Sequence, residues 1–216
     1  MKIIDYGIMV IGSLLVGTAI LSMVPTQPEI PVKQNTVITH QDTVINVNGK
    51  KAIIIGDSHS ASFNGWAQQV CVKTGMTFFN MSVSSKNTTW MLTQVQQSVH
   101  KDLDYCFIYG GANDWDIKLA VKNIQSMVDF CNSKGVKAIV IVGFDAENLC
   151  KNRSYGKRYG QLQDMIVTSI TGAQVLDTRK AVVIENCIDD VCHMNKAGHV
   201  RLANEVIKLS KLQIVK

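Results

Sequence analysis

From Lys51 onward the chain alternates short apolar runs with longer amphipathic stretches, and this alternation constrains the fold more than any other feature. The apolar runs, at 52–55, 76–79, 105–109, 136–142 and 175–176, are short and rich in branched or aromatic residues, as buried parallel strands are. Between and after them, 61–73, 89–100, 117–133, 155–170 and 196–209 carry apolar residues at helical spacing. Strand and helix repeated about five times predict a three-layer α/β sandwich around a parallel sheet. In such sheets ligands bind at the carboxyl ends of the strands, so polar residues at those ends are the first place to look for chemistry.

Two strand ends stand out. The run Ile53-Ile54-Ile55 stops at Gly56-Asp57-Ser58-His59-Ser60, and Phe107-Ile108-Tyr109 stops at Gly110-Gly111-Ala112-Asn113-Asp114. A serine at a strand-to-helix turn places its hydroxyl in the crevice, with its own backbone N–H beside it to stabilise developing negative charge. Taken alone, Gly-Asp-Ser is equally a plain turn with a helix N-cap. A third cluster, Asp190-Val191-Cys192-His193, precedes the last helix and continues as Met194-Asn195-Lys196-Ala197-Gly198-His199. An aspartate three residues before a histidine can accept its Nδ1 proton and leave Nε2 free as a base. By itself this too has a plain reading, a helix cap followed by a surface histidine.

Together the three clusters resemble the SGNH (GDSL-like) hydrolase superfamily, whose members carry a Gly-Asp-Ser block early, Gly-x-Asn-Asp in mid-chain and Asp-x-x-His near the end. The resemblance spans about 51–212. It implies a flavodoxin-like five-stranded parallel sheet, with Ser58 as nucleophile, His193 as general base and then acid, and Asp190 as its orienting partner. It also implies an oxyanion hole made by the Ser58 N–H, the Asn113 side-chain amide and a backbone N–H from a block of the form Asn-x-Gly-x-x-Gly. Here that block reads Asn80-Met81-Ser82-Val83-Ser84-Ser85, with serines at both glycine positions. Ser85 is the expected donor, although a residue with a Cβ resists the positive φ that glycine adopts freely.

His59 replaces the leucine common after the serine in lipase-like members. The Gly-Asp-Ser-His form resembles SGNH domains of carbohydrate esterases and membrane acyltransferases, which makes His59 a candidate substrate-side residue beside the plain reading of a first-turn helix residue. Trp115 is a second such candidate, against ordinary packing. The expected activity is removal of a small acyl group, acetyl foremost, from a cell-envelope or surface carbohydrate. The alternatives are acyl transfer to a sugar hydroxyl and a catalytically idle carbohydrate-binding or attachment module.

The remaining features bound the setting. Residues 7–24 contain no charge, a length at the lower edge of what spans a bilayer, and no clear cleavage site precedes Pro25. Residues 1–25 are therefore expected to be a membrane anchor or signal peptide, 26–50 a proline-containing linker, stalk or hairpin, and 51–216 the catalytic domain, held outside the cytoplasm or secreted if the first segment is cleaved. The 22 basic and 17 acidic residues, net +5, are scattered and do not form a stripe interleaved with aromatics, which speaks against nucleic-acid binding. All six cysteines follow the apolar segment, where an oxidising compartment permits pairing, and the short Cys187 to Cys192 interval is the expected disulfide. No cofactor is expected. No metal is expected either, since Cys187, Cys192, His193 and His199 match no common zinc spacing.

Overall fold

The structure, a computed structural model, is described for residues 43–186 and 193–215. Five strands, β1 (Lys51–Gly56), β2 (Thr77–Asn80), β3 (Tyr105–Tyr109), β4 (Lys137–Val142) and β5 (Gln174–Asp177), form one parallel sheet in the order β2-β1-β3-β4-β5. The helices are α1 (Ser58–Ala61), α2 (Trp66–Thr74), α3 (Thr88–Ser98), α4 (Ile117–Ser133), α5 (Ala146–Leu149), α6 (Arg153–Ser169) and α7 (Lys196–Leu209). The chain moves from β1 to β2 in one direction and then passes back over β1 to β3. Right-handed crossovers therefore put α2 on one face of the sheet and α3, α4 and α6 on the other. Helix α7 packs on α2, while α4 packs between α3 and α6, giving the three layers expected.

The central strands are legible as such because nearly every side chain on β1, β3 and β4 is buried. The two outer strands differ from the expectation of burial. On β2 only Phe78 is even half-buried, and on β5 only Leu176 is fully buried. A strand at a sheet edge is covered on fewer sides, so its apolar residues need not be enclosed.

Two boundaries also move. The helix expected at 61–73 is broken by a turn in which the Gly65 N–H donates to the Ser62 carbonyl at 3.0 Å and Asn64 takes a left-handed φ of 55°. Asparagine is among the few non-glycine residues that tolerate that region. Nor does the domain begin at Lys51. Ile45 makes a parallel bridge to Leu212, its N–H donating to the Lys211 carbonyl at 2.7 Å and its carbonyl accepting from the Gln213 N–H at 2.9 Å, and Val47 is fully buried. The end of the expected linker is thus part of the core. Residues 1–25 and the proline-containing segment lie outside the described residues, and among the described residues no helix is long and apolar enough to cross a membrane.

Cys71, Cys106 and Cys131 are buried free thiols, whereas Cys150 is disulfide-bonded. Cys187 and Cys192 lie outside the described residues.

Candidate active site

The strand order reverses at β1 and β3, and the crevice between their carboxyl ends is where a doubly wound sheet binds its ligand. Ser58 follows β1 and Asn113 follows β3, so both stand at that point. The turn carrying Ser58 is tightly determined. A Cβ on Gly56 would lie 2.5 Å from the Tyr109 carbonyl oxygen, so only glycine lets the chain pass there. Asp57 caps α1, its carboxylate accepting the His59 N–H at 3.0 Å, and it also accepts the Ala112 N–H at 3.3 Å, tying the first polar cluster to the second. Asp57 is fully buried, and burial pushes its carboxyl up to about 7 against the pull of those two donors.

His193 brings Nε2 to 2.9 Å from the Ser58 Oγ, joining residues from opposite ends of the domain. Asp190 lies outside the described residues. Nearby His199 is buried, and its Nδ1 accepts the Trp66 N–H at 3.4 Å. Burial first, and then His193, holds the His199 imidazole below the ordinary histidine value, so it stays neutral around pH 7.

The loop after β2 supplies the other wall. Asn80 Nδ2 donates to the Ser60 carbonyl at 2.8 Å while its Oδ1 accepts the Ser82 N–H at 3.0 Å, and the Val83 N–H reaches the Gly56 carbonyl at 3.1 Å. Of the two serines at glycine positions, Ser85 adopts a φ of 62° and Ser82 does not enter the left-handed region. Ser85 thus takes the conformation glycine would, at a cost of roughly 1–2 kcal/mol. Neither Ser58 nor Ser85 uses its backbone N–H in a hydrogen bond among the described residues. Asn113 donates one amide N–H to the Lys86 carbonyl at 3.0 Å, which fixes the plane of the amide and leaves a second donor. Ser58, Ser85, Asn113 and His193 line one cavity of about 330 Å³, together with Ser84 and Tyr155. A second cavity, of about 270 Å³, lies on the other side of Ser58, toward His199.

Asp114 is a site residue whose role the sequence did not disclose. It is buried, and its carboxylate accepts both the Thr88 N–H at 3.0 Å and the Thr88 hydroxyl at 2.6 Å. That anchors the first turn of α3, where the serine-containing loop ends. The aspartate of Gly-Ala-Asn-Asp is therefore the brace that holds Ser85 opposite Asn113.

The two candidate substrate-side residues part ways. His59 is only 2 % exposed, its ring packed among Tyr109, Phe144, Tyr159 and His193. Its ring packs beneath the Ser58 turn, and His59 also borders the cavity that Ser58, His193 and His199 line. Trp115 is 87 % exposed, and its ring lies 4.8 Å from the Arg158 guanidinium carbon.

No family model and no curated protein matches the sequence. Solved structures do match. A lipolytic protein of the G-D-S-L family from Veillonella parvula superposes with a TM-score of 0.63 at 14% identity, covering 74% of this chain and 97% of its own. A putative lipolytic protein of the same family from Desulfitobacterium hafniense gives 0.61 at 15% identity, covering 74% and 99%. An acetylxylan esterase from Geobacillus stearothermophilus gives 0.62 at 17% identity, covering 80% and 99%. In that esterase, variants described as catalytic mutants replace one serine and one histidine by alanine. The domain has the fold of these GDSL (SGNH) proteins.

Proposed function

We propose that the protein is a serine carboxylic-ester hydrolase that removes a small acyl group, acetyl foremost, from a carbohydrate of the cell envelope or surface. The observation that carries this reading is the 2.9 Å contact between the His193 Nε2 and the Ser58 Oγ at the switch point of the sheet, beside unused N–H donors. The Ser58 Oγ attacks the ester carbonyl as its proton passes to the His193 Nε2. The tetrahedral oxyanion is stabilised by the Ser58 and Ser85 N–H groups and the Asn113 amide. Collapse breaks the bond to the alkoxy oxygen, which takes the proton from His193 and leaves as the sugar alcohol. Water then attacks the acyl-enzyme, giving its proton to His193, and the carboxylic acid is released with Ser58 restored. Asp190, three residues before His193, is assigned the orienting of the imidazole.

The acetyl and carbohydrate parts of the proposal draw on the likeness to the acetylxylan esterase and on an open crevice bordered by Ser84, Asn113 and Tyr155. Acyl transfer to a sugar hydroxyl would use the same groups, with that hydroxyl in place of water. An extracytoplasmic, membrane-tethered location is supported by the uncharged run at 7–24 and by the disulfide at Cys150, since such bonds persist in oxidising compartments. The test is hydrolysis of p-nitrophenyl acetate by the wild-type protein and by Ser58→Ala. The expected result is turnover by the first and a loss of at least about 10⁴-fold in the second. Equal rates would sink the proposal.

A further inference from the structure

We propose that Arg158, Trp115 and Tyr155 form a subsite for a carboxylate-bearing sugar, so that the ester favoured by Ser58 is one carried on an acidic glycan. The inference deepens the hydrolase reading and rests on it for the reacting end of the substrate. A cavity of about 270 Å³, with room for one sugar ring, is lined by these three residues with Asn152 and Ser154. Tyr155 lines both this cavity and the one that holds Ser58 and Asn113, so a chain of sugars bound in one extends into the other.

The chemistry of the cavity is set by Arg158. Its Nη2 donates to a neutral acceptor, the Ala112 carbonyl, at 3.2 Å, and its Nη1 is shielded from solvent with no hydrogen-bond partner. Among the described residues no carboxylate pairs with it. Arg179 shows what a structural arginine looks like in this protein, with bonds of 2.9 and 2.8 Å to Asp177 and 2.6 Å to Asp164. The acidic groups nearest in sequence to Trp115 are otherwise engaged. Asp114, close enough to feel the charge of Arg158, is held by Thr88, and Asp116 caps α4 through the Leu119 N–H at 3.0 Å. An enclosed cationic donor without an acceptor costs free energy that an incoming anion recovers.

The surroundings fit a sugar acid. The Trp115 indole is exposed and lies over the guanidinium, presenting an aromatic face of the kind that carbohydrate rings pack against. Helix α6 is 17 residues long and begins at this cavity, adding the partial positive charge of its N-terminus to that of Arg158. The planar fork of arginine matches a carboxylate, where a lysine would offer only a point charge.

The test is equilibrium binding of two unacetylated probes of equal length, an oligogalacturonate and a neutral xylo-oligosaccharide, followed by tryptophan fluorescence and by calorimetry on the full chain. The expected result is that the acidic probe binds at least about 10-fold more tightly and alters the fluorescence, that Arg158→Met abolishes the preference, and that Trp115→Phe removes most of the fluorescence change. Arg158→Lys is expected to keep part of the preference, which separates a binding role from a merely structural one. Equal binding of the two probes by the wild-type protein, or a preference that survives Arg158→Met, overturns the subsite. Because binding needs no turnover, an inactive protein that still prefers the acidic probe would overturn the hydrolase reading alone. Brisk p-nitrophenyl acetate hydrolysis without any preference would overturn the subsite alone.

Discussion

The turn that carries Ser58 and the loop that carries Ser85 face each other across one crevice, yet they are held in place in opposite ways. The Ser58 turn is fixed from within, by a glycine that nothing larger can replace, a fully buried Asp57 bonded to two backbone N–H groups, and His59 packed in an aromatic cluster. The Ser85 loop is more exposed and is held from its two ends, by Asn80 at its start and by Asp114 on Thr88 at its finish, with Ser85 in a left-handed conformation between them. Buried carboxylates that fix a nucleophile exact their cost through protonation. A braced loop instead tolerates local strain so long as its ends stay fixed. The contrast teaches that serines can occupy the glycine positions of the loop without losing the geometry, because Asp114 and Asn80 position it regardless.

The largest expected effect tests the donor shared between the two regions. Asn113→Ala removes the amide that bridges to Lys86 and faces the Ser58 cavity, and it is expected to lower kcat by about 100-fold to 1,000-fold with the fold intact by circular dichroism. A fall in stability with no fall in kcat would mean that Asn113 only holds the loop.

A smaller effect separates the buried turn from the loop by pH. The Asp57 carboxyl is raised by burial from its ordinary 3.8 to about 7, so between those values the folded protein binds a proton that the unfolded chain has lost. Its contribution to stability is full below about 4, falls as pH rises toward 7, and is flat above. Asp57→Asn, which cannot titrate, is expected to be destabilised most at pH 4 and progressively less toward pH 7, measured by urea denaturation across that range. A pH-independent difference would refute the assignment. The smallest effect is on the loop. Ser85→Gly relieves the left-handed strain and is expected to raise stability by up to about 1 kcal/mol while keeping the N–H donor, so that activity is retained. Destabilisation would show that the serine side chain holds the loop.

Much of this was readable from the sequence where a pattern is set by short-range physics. The runs that became β1, β3 and β4 are apolar because both faces are covered, and the polar clusters after β1 and β3 mark the crevice by their position alone. The edge strands misled because an apolar run says nothing about its neighbours. The break between α1 and α2 was signalled by the Asn64-Gly65 pair, a common turn dipeptide, but was outweighed by the helical spacing around it. The surroundings of His59 and of Arg158 were not legible for one reason. The packing around the first and the unpaired guanidinium nitrogen of the second depend on residues more than about 40 positions away, which only the folded chain brings near.

The central claim is that Ser58, activated by His193, is the nucleophile. Treatment of the protein with a fluorophosphonate followed by peptide mass spectrometry tests it most directly. One adduct, on Ser58, absent after Ser58→Ala and greatly slowed after His193→Ala, is the result expected. No adduct, or labelling of another serine that persists in Ser58→Ala, would contradict it.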